Sequence, residues 1–348
     1  MWPDGRYRDL LGSRLPIIAA PMAGAGGVQL AAEAMAGGAV GSLPCALLAP
    51  DEILAQAAEV RARAEGPINL NFFCHSMPDD ADDGAWLSLL RPFYDEFGVE
   101  PSQGAALRRP FDEGMCRVVE EARPELVSFH FGLPEDVLLD RVRASGARIL
   151  GNATTVAEAK MLAGRGVDAV IAQGWEAGGH AGRFLDYPSD EALGLIALVP
   201  QAADVTGLPI IAAGGIGDGR GIAAALMLGA TAVQIGTAYL HCPESLITTA
   251  HRAAMSGSAA QHTAFTNLFS GGLARGLPTR LTDELGRIRQ EAPPFPLASV
   301  ALAPLAKAAD GFSPMWAGQS ASLARPMPAR ELTELLGREA LALIDRTS

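Results

Sequence analysis

Eight short apolar runs recur along the chain, each followed by glycine or polar residues and, in most cases, by a stretch of helical period. They are "PIIAAP" (16–21), "AVGSLP" (39–44), "INLNFF" (68–73), "LVSFHF" (126–131), "RILGNA" (148–153), "AVIAQG" (169–174), "PIIAAG" (209–214) and "AVQIGT" (232–237). Their apolar residues are mostly continuous rather than alternating. That marks strands covered on both faces, as in a parallel sheet. Between them, "GVQLAAEAMAGG" (27–38), "TVAEAKMLAGRG" (155–166) and "GRGIAAALMLGA" (219–230) read as helices. The last two keep an apolar face at helical spacing and end at glycine. Eight strands alternating with helices predict an α/β protein built on a (β/α)8 barrel. A doubly wound open sheet is the runner-up. No run leads into GxGxxG, a helix and a downstream acidic residue, so the dinucleotide fingerprint is missing.

Two segments depart from the repeat. The charged, proline-containing stretch at about 75–123 reads as an insertion carrying helices, with its acidic run as a solvated loop. After about 245 the strand signal vanishes. The expected organisation is a barrel over 1–245, a smaller and mostly helical second domain over 246–325 capping its mouth, and a last helix in 326–348 free to return to the barrel. The apolar stretch from Leu15 to Leu48 is broken by Pro21 and Pro44 and carries Glu33, which argues against a membrane span. A net charge of −12 disfavours nucleic acid and anionic lipid as partners. The residues "MWPDGRYRDLLGSRLP" mix charges and lack the apolar core of a signal peptide. Four cysteines, Cys45, Cys74, Cys116 and Cys242, show no CxxC spacing, so neither a zinc site nor a disulfide framework is expected, and a cytoplasmic setting fits.

In such barrels chemistry sits at the C-terminal ends of the strands. That filter selects Met22, Asn71, His75, His130, Asn152, Gln173 to His180, Gly214 to Asp218 and Gln234 to Thr237. The stretch "AAGGIGDGRGIAAAL" (212–226) runs strand, glycine loop, helix, and "QIGT" (234–237) adds a glycine and a hydroxyl. Bare amides at a helix N-terminus suit an anion. Loops after the seventh and eighth strands are the usual phosphate site of this fold. In "QGWEAGGHAG" (173–182) glycines surround His180. Its strand-end position and an imidazole titrating near neutrality favour proton transfer over a bystander role. His75 and His130 are expected to line the pocket. His241, His251 and His262 show no metal spacing and are expected to be structural. Without GxSxG or GxxxxGK[ST], a serine hydrolase and a nucleoside triphosphate are unsupported. Cys45 and Cys74 lie in or beside apolar runs and read as buried, inert thiols.

These motifs together resemble a known family. "IIAAPMAG", "NLNFFCH", "GNATTVAEAKMLAGRGVDAVIAQGWEAGGHAG", "IIAAGGIGDGRGIAAALMLGATAVQIGTAYL" with "CPES", and "SPMWAGQSASLAR" are similar to the nitronate monooxygenases, formerly 2-nitropropane dioxygenases, in their bacterial class I group. The resemblance runs from about residue 15 onward. It implies an FMN-binding barrel that oxidises alkyl nitronates with O2 to carbonyl compounds and nitrite, without NAD(P)H or metal. By matching motif, FMN contacts would come from Ala20, Pro21, Met22, Asn71, Gln173, Gly178, Gly214, Gly215, Gln234, Gly236 and Thr237. His180 matches the catalytic histidine. Gly272 stands where the family usually has Arg, and Thr279 where it has Asn, which bears on substrate range. Two other readings stand beside this one: a flavin- and NAD(P)H-dependent enoyl-acyl-carrier-protein reductase on the same barrel, and a non-catalytic barrel holding a phosphorylated ligand.

Overall fold

A computed structural model describes residues 1–78, 82–102, 104 and 107–346. Eight strands form one parallel sheet: β1 (Ile17–Ala19), β2 (Gly41–Pro44), β3 (Ile68–Phe73), β4 (Leu126–His130), β5 (Arg148–Ala153), β6 (Ala169–Gln173), β8 (Ile210–Ala213) and β9 (Ala232–Ile235). Their order is β1-β9-β8-β6-β5-β4-β3-β2. The sheet closes on itself where Ile18 bridges Val40 just ahead of β2. Val40 N donates to Ile17 O at 2.9 Å, and Ala19 N to Val40 O at 3.0 Å. This is the (β/α)8 barrel, not the open sheet.

Side chains alternate along a strand, and the inward set changes character with height. At the bottom Ile18, Leu126, Leu150, Ala169, Ile171, Ile211 and Ala232 pack into one cluster, plugged by Tyr7, Leu10 and Leu11 of the helix Arg6–Leu11. Two residues beyond Leu126, Leu150 and Ile171 stand Ser128, Asn152 and Gln173, and Asn71 of β3 joins them at that level. Asn71 Nδ2 donates to Ser128 Oγ at 2.9 Å, and Asn152 Nδ2 to Gln173 Oε1 at 3.1 Å. Apart from Asn69, which donates to Ser42 Oγ at 3.1 Å, the barrel is therefore oily below and amide-lined above. The change falls where the strands end.

A three-stranded antiparallel sheet, β10 (Ala264–Thr266), β11 (Ala274–Gly276) and β7 (Gly179–His180), sits over the mouth. It corrects the expectation that strands cease near 245. Runs of two or three residues between glycines carry no periodicity to read. The insertion contributes helix Gly84–Phe97, whose Trp86, Leu90, Phe93 and Tyr94 share a core with Leu302, Leu305 and Phe312 of the later segment. Helix Glu113–Ala122 instead packs against Pro50–Arg63 and Asp136–Ala144 in the barrel's outer ring. Residues 79–81 of the expected acidic loop lie outside the described residues.

The helix Ala329–Ile344 lies between Gly219–Met227 and Val28–Ala36 and takes the eighth helix position of the ring. Its buried residues Leu332, Thr333, Leu336, Gly337, Ala340 and Ile344 form one helical stripe. Close approach requires glycine on both neighbours. A Cβ on Gly37 would come within 2.6 Å of Thr333 Cβ, and one on Gly219 would run into Glu339 and the backbone of Ala340. Among the described residues no helix is long and apolar enough to cross a membrane, and no group of His, Cys, Asp or Glu is placed to hold a metal ion.

Candidate active site

A cavity of about 470 Å³ opens at the C-terminal ends of the barrel strands, within the roughly 300–1,000 Å³ typical of small-molecule sites. Its wall contains Ala20, Pro21 and Met22 after β1, Asn71 of β3, Gln173 of β6, Gly178 and His180 beyond it, Gly214 and Gly215 after β8, and Gln234, Gly236 and Thr237 at β9. His130 of β4 lines it as well. His75 does not. It stands in a neighbouring groove with Cys74, Phe131 and Arg183, which corrects its assignment to the pocket. The His75 ring is held by its own Nε2 donating to Arg108 O at 3.1 Å and lies edge-on to Phe295 at 4.8 Å between centroids.

The glycine end of the cavity is shaped by positive φ at Gly214 (114°) and Gly215 (68°). Side chains there would crowd Ala177 and Glu176, each at 3.1 Å from the added Cβ. One expectation fails at this end. The N-terminus of helix Gly219–Met227 is not free for an anion, because Asp218 accepts from Arg220 N at 2.9 Å and Glu339 accepts from Gly219 N at 3.2 Å. Two carboxylates already cap it. An anion here has the Gly214–Gly215 turn and the Gly236–Thr237 corner instead. The Thr237 hydroxyl accepts from Gly318 N at 2.9 Å, so the corner is fixed by the later segment.

Gln234 tests whether a flavin fits. Its side chain borders the cavity, yet its buried Oε1 meets no donor among the described residues. A buried acceptor left so is costly. A flavin brings N–H and hydroxyl donors that could satisfy it. The cavity of about 470 Å³ and this unmet acceptor together fit FMN.

His180 is buried, in β7 opposite Ala274. Its Nε2 lies 2.8 Å from Ser270 Oγ. Phe295 and Trp316 contact the ring edge-on at 5.1 and 5.5 Å between centroids. The backbone carbonyl of His180 accepts from Gln173 Nε2 at 2.9 Å and from His130 Nε2 at 3.2 Å. A carbonyl only accepts, so His130 carries its proton on Nε2. Gln173 Oε1 also accepts from Gly182 N at 2.8 Å. The amide of Gln173 is thus engaged in positioning the histidine loop. Burial, then Arg108, then His130 and His75, hold the His180 pKa well below 6.5. The imidazole is neutral at ordinary pH.

Several residues of this site carry no sequence signal. Glu158, in the first turn of helix Val156–Gly164, accepts from Phe184 N at 2.7 Å and Leu185 N at 3.0 Å and pins the loop after His180. Arg275 of β11 donates to Trp175 O at 3.0 Å and lies over the Phe265 ring. His251, expected to be structural, lines the cavity, and its Nε2 has no partner among the described residues. Gly272 does bear on the site. A Cβ there would lie 3.4 Å from His180 Cδ2 and 3.0 Å from Phe295, so Gly272 lets the chain pass close beside the imidazole. Thr279 caps helix Arg280–Leu285, its side chain accepting from Thr282 N. Burial raises the Cys45 and Cys74 thiols, which keeps both protonated.

The polar barrel mouth, with the unmet Gln234 acceptor beside the glycine turns, suits an enzyme that holds a flavin. Comparison with known proteins narrows the class. A family model described as nitronate monooxygenase matches residues 6–339. Relatives named nitronate monooxygenase come from Pseudomonas aeruginosa, 42% identical over 96% of this chain and 98% of the relative, and Paraburkholderia phytofirmans, 42% identical over 95% and 93%. A solved nitroalkane oxidase from Streptomyces ansochromogenes superposes with a TM-score of 0.87 at 33% identity, covering 98% of this chain and 99% of its own. FabK from Thermotoga maritima superposes less closely, with a TM-score of 0.76 at 25% identity over 98% and 97%. The chain belongs to the nitronate monooxygenase family, whose members depend on FMN.

Proposed function

We propose that this protein oxidises alkyl nitronates, such as propionate 3-nitronate, with O2 to a carbonyl compound and nitrite. The observation that carries the reading is the neutral, buried His180 set across one cavity from the glycine turns. FMN would be held by those turns, by the Gly236–Thr237 corner and by Gln234. When bound it supplies the one-electron chemistry between nitronate and O2.

The chain's own residues do the rest. Gln173 and His130 fix the His180 backbone through its carbonyl, and Ser270 fixes the ring. Neutral His180 takes the α-proton of a nitroalkane or orients a nitronate that arrives ionised. Its depressed pKa makes it a weak base, which favours the second role and the pre-formed nitronate as the better substrate. Phe295 and Trp316 keep water from the imidazole. Residues 246–325 act as the substrate-bearing cap, and four unpaired thiols suit a reducing cytoplasm.

The test is O2 uptake by FMN-loaded protein given propionate 3-nitronate, without NADH and with nitrite followed in parallel. Rapid uptake with nitrite release supports the reading. No uptake, with NAD(P)H oxidation coupled to an enoyl thioester, replaces it with the reductase. Bound flavin without turnover in either assay leaves a binding barrel.

A further inference from the structure

One cation in the cavity wall has no side-chain partner among the described residues. Arg108 lines the same cavity as His180, and its Nε is buried without a hydrogen bond. No hydrogen bond or ion pair holds its guanidinium among the described residues; only its backbone carbonyl is engaged, by His75. Two other arginines drawn in from solvent are paired: Arg275 donates to the Trp175 carbonyl and Arg141 to the Glu120 carboxylate. An arginine left bare beside a cavity is anomalous, because desolvating a guanidinium without a counter-charge is costly. The remaining titratable groups lining the cavity are three histidines and Asp310. Asp310 is exposed and makes no bond to Arg108. The arrangement suits an anion that arrives from outside.

We propose that Arg108 is the substrate-anion residue of this enzyme, pairing its guanidinium with the two oxygens of a nitronate held beside His180. The inference rests on the proposed nitronate oxidation. A nitronate is planar and singly charged over two oxygens, the pattern a guanidinium fork meets with two parallel hydrogen bonds. A neutral nitroalkane offers the same oxygens with less charge. Arg108 therefore selects the ionised substrate. The seated anion also offsets the positive charge that holds His180 low, so binding makes the imidazole more basic where it faces substrate.

The experiment compares wild type with Arg108→Met and Arg108→Lys, each loaded with FMN, using ethyl nitronate as substrate and nitrate as a planar, unreactive anion. Loss of a charge-assisted pair should raise KM for ethyl nitronate and Kd for nitrate about 10- to 100-fold in Arg108→Met. The value of kcat should fall much less, and the lysine variant should recover part of the loss. Nitrate binding is read from flavin absorbance, independent of turnover. Unchanged nitrate affinity and KM in a flavin-loaded Arg108→Met overturns the assignment. If that variant does not fold, wild-type nitrate affinity in Arg108→Lys overturns it, because a lysine cannot reproduce the fork. Wild type that binds nitrate with Arg108 dependence but never consumes O2 refutes nitronate oxidation while leaving the anion seat intact.

Discussion

At the scale of single residues, His180 is governed by what surrounds it. Its ring is buried among aromatics and near Arg108, and both effects disfavour the charged form. His180→Ala should retain FMN but lose turnover of neutral nitroalkanes by about 100-fold or more, with a smaller loss for pre-formed nitronate. Flavin content and O2 uptake on the two substrates check this, and equal activity on nitroethane would remove the base role. The pH dependence follows from the same environment. Because His180 stays neutral until well below pH 6.5, kcat/KM for a pre-formed nitronate should be level from pH 8 through 6.5 and fall only in more acid solution. A limb centred at or above 6.5 would contradict the burial argument. Much of this site was legible in the sequence. Asn71, Asn152 and Gln173 stand at strand ends, and glycines flag the loop after β6. Ser270 and Arg108 were not legible, because each lies in irregular chain and acquires meaning only from neighbours 90 or 72 positions away.

At the scale of elements, the backbone approaches are as decisive as the side chains. Gly178 meets the turn at Ala317 and Gly318 so closely that a Cβ would stand 2.5 Å from Gly318 N and 2.6 Å from Ala317 C. The turn is itself tied by Gln319 N to Glu176 O at 2.9 Å. Gly178→Ala should push these segments apart, destabilising the protein by about 1–3 kcal/mol and weakening FMN retention. Chemical denaturation with flavin titration measures both. Gly219→Ala should loosen helix Ala329–Ile344 in the same way and lower stability without touching the cavity wall. Strand positions were readable because burial on two faces leaves continuous apolar runs. The pairing of β7 with β11 was not, because a two-residue strand has no period. The capping of helix Gly219–Met227 by Glu339 was hidden for another reason. A glycine loop ahead of a helix looks the same whether an anion or a carboxylate from 120 residues away completes it.

For the whole molecule, buried imidazoles tie stability to pH. His130 and His251 are each pushed down to about 4, chiefly by burial. In the unfolded chain they titrate near 6.5. The folded state therefore keeps its full stability above pH 6.5 and loses it as the pH falls from 6.5 toward 4, where only the unfolded chain takes up the protons. The loss should reach roughly 1.4 kcal/mol per pH unit for each such group. Denaturant midpoints at pH 7, 6, 5 and 4 test this, and His251→Asn should flatten the slope by about one proton. The barrel as a whole was legible from its repeat, yet the way the later segment and the insertion share one core was not, since Trp86 and Leu305 are joined only by tertiary packing. The position of helix Ala329–Ile344 in the ring has a consequence for synthesis. The ribosome must deliver all of residues 246–325 before the last stave of the barrel emerges. Until then the faces of Val28–Ala36 and Gly219–Met227 stay bare to chaperones and proteases. A nascent chain that has not yet reached residue 329 already carries His180, the glycine turns and Arg108, and still lacks the helix that covers those two faces.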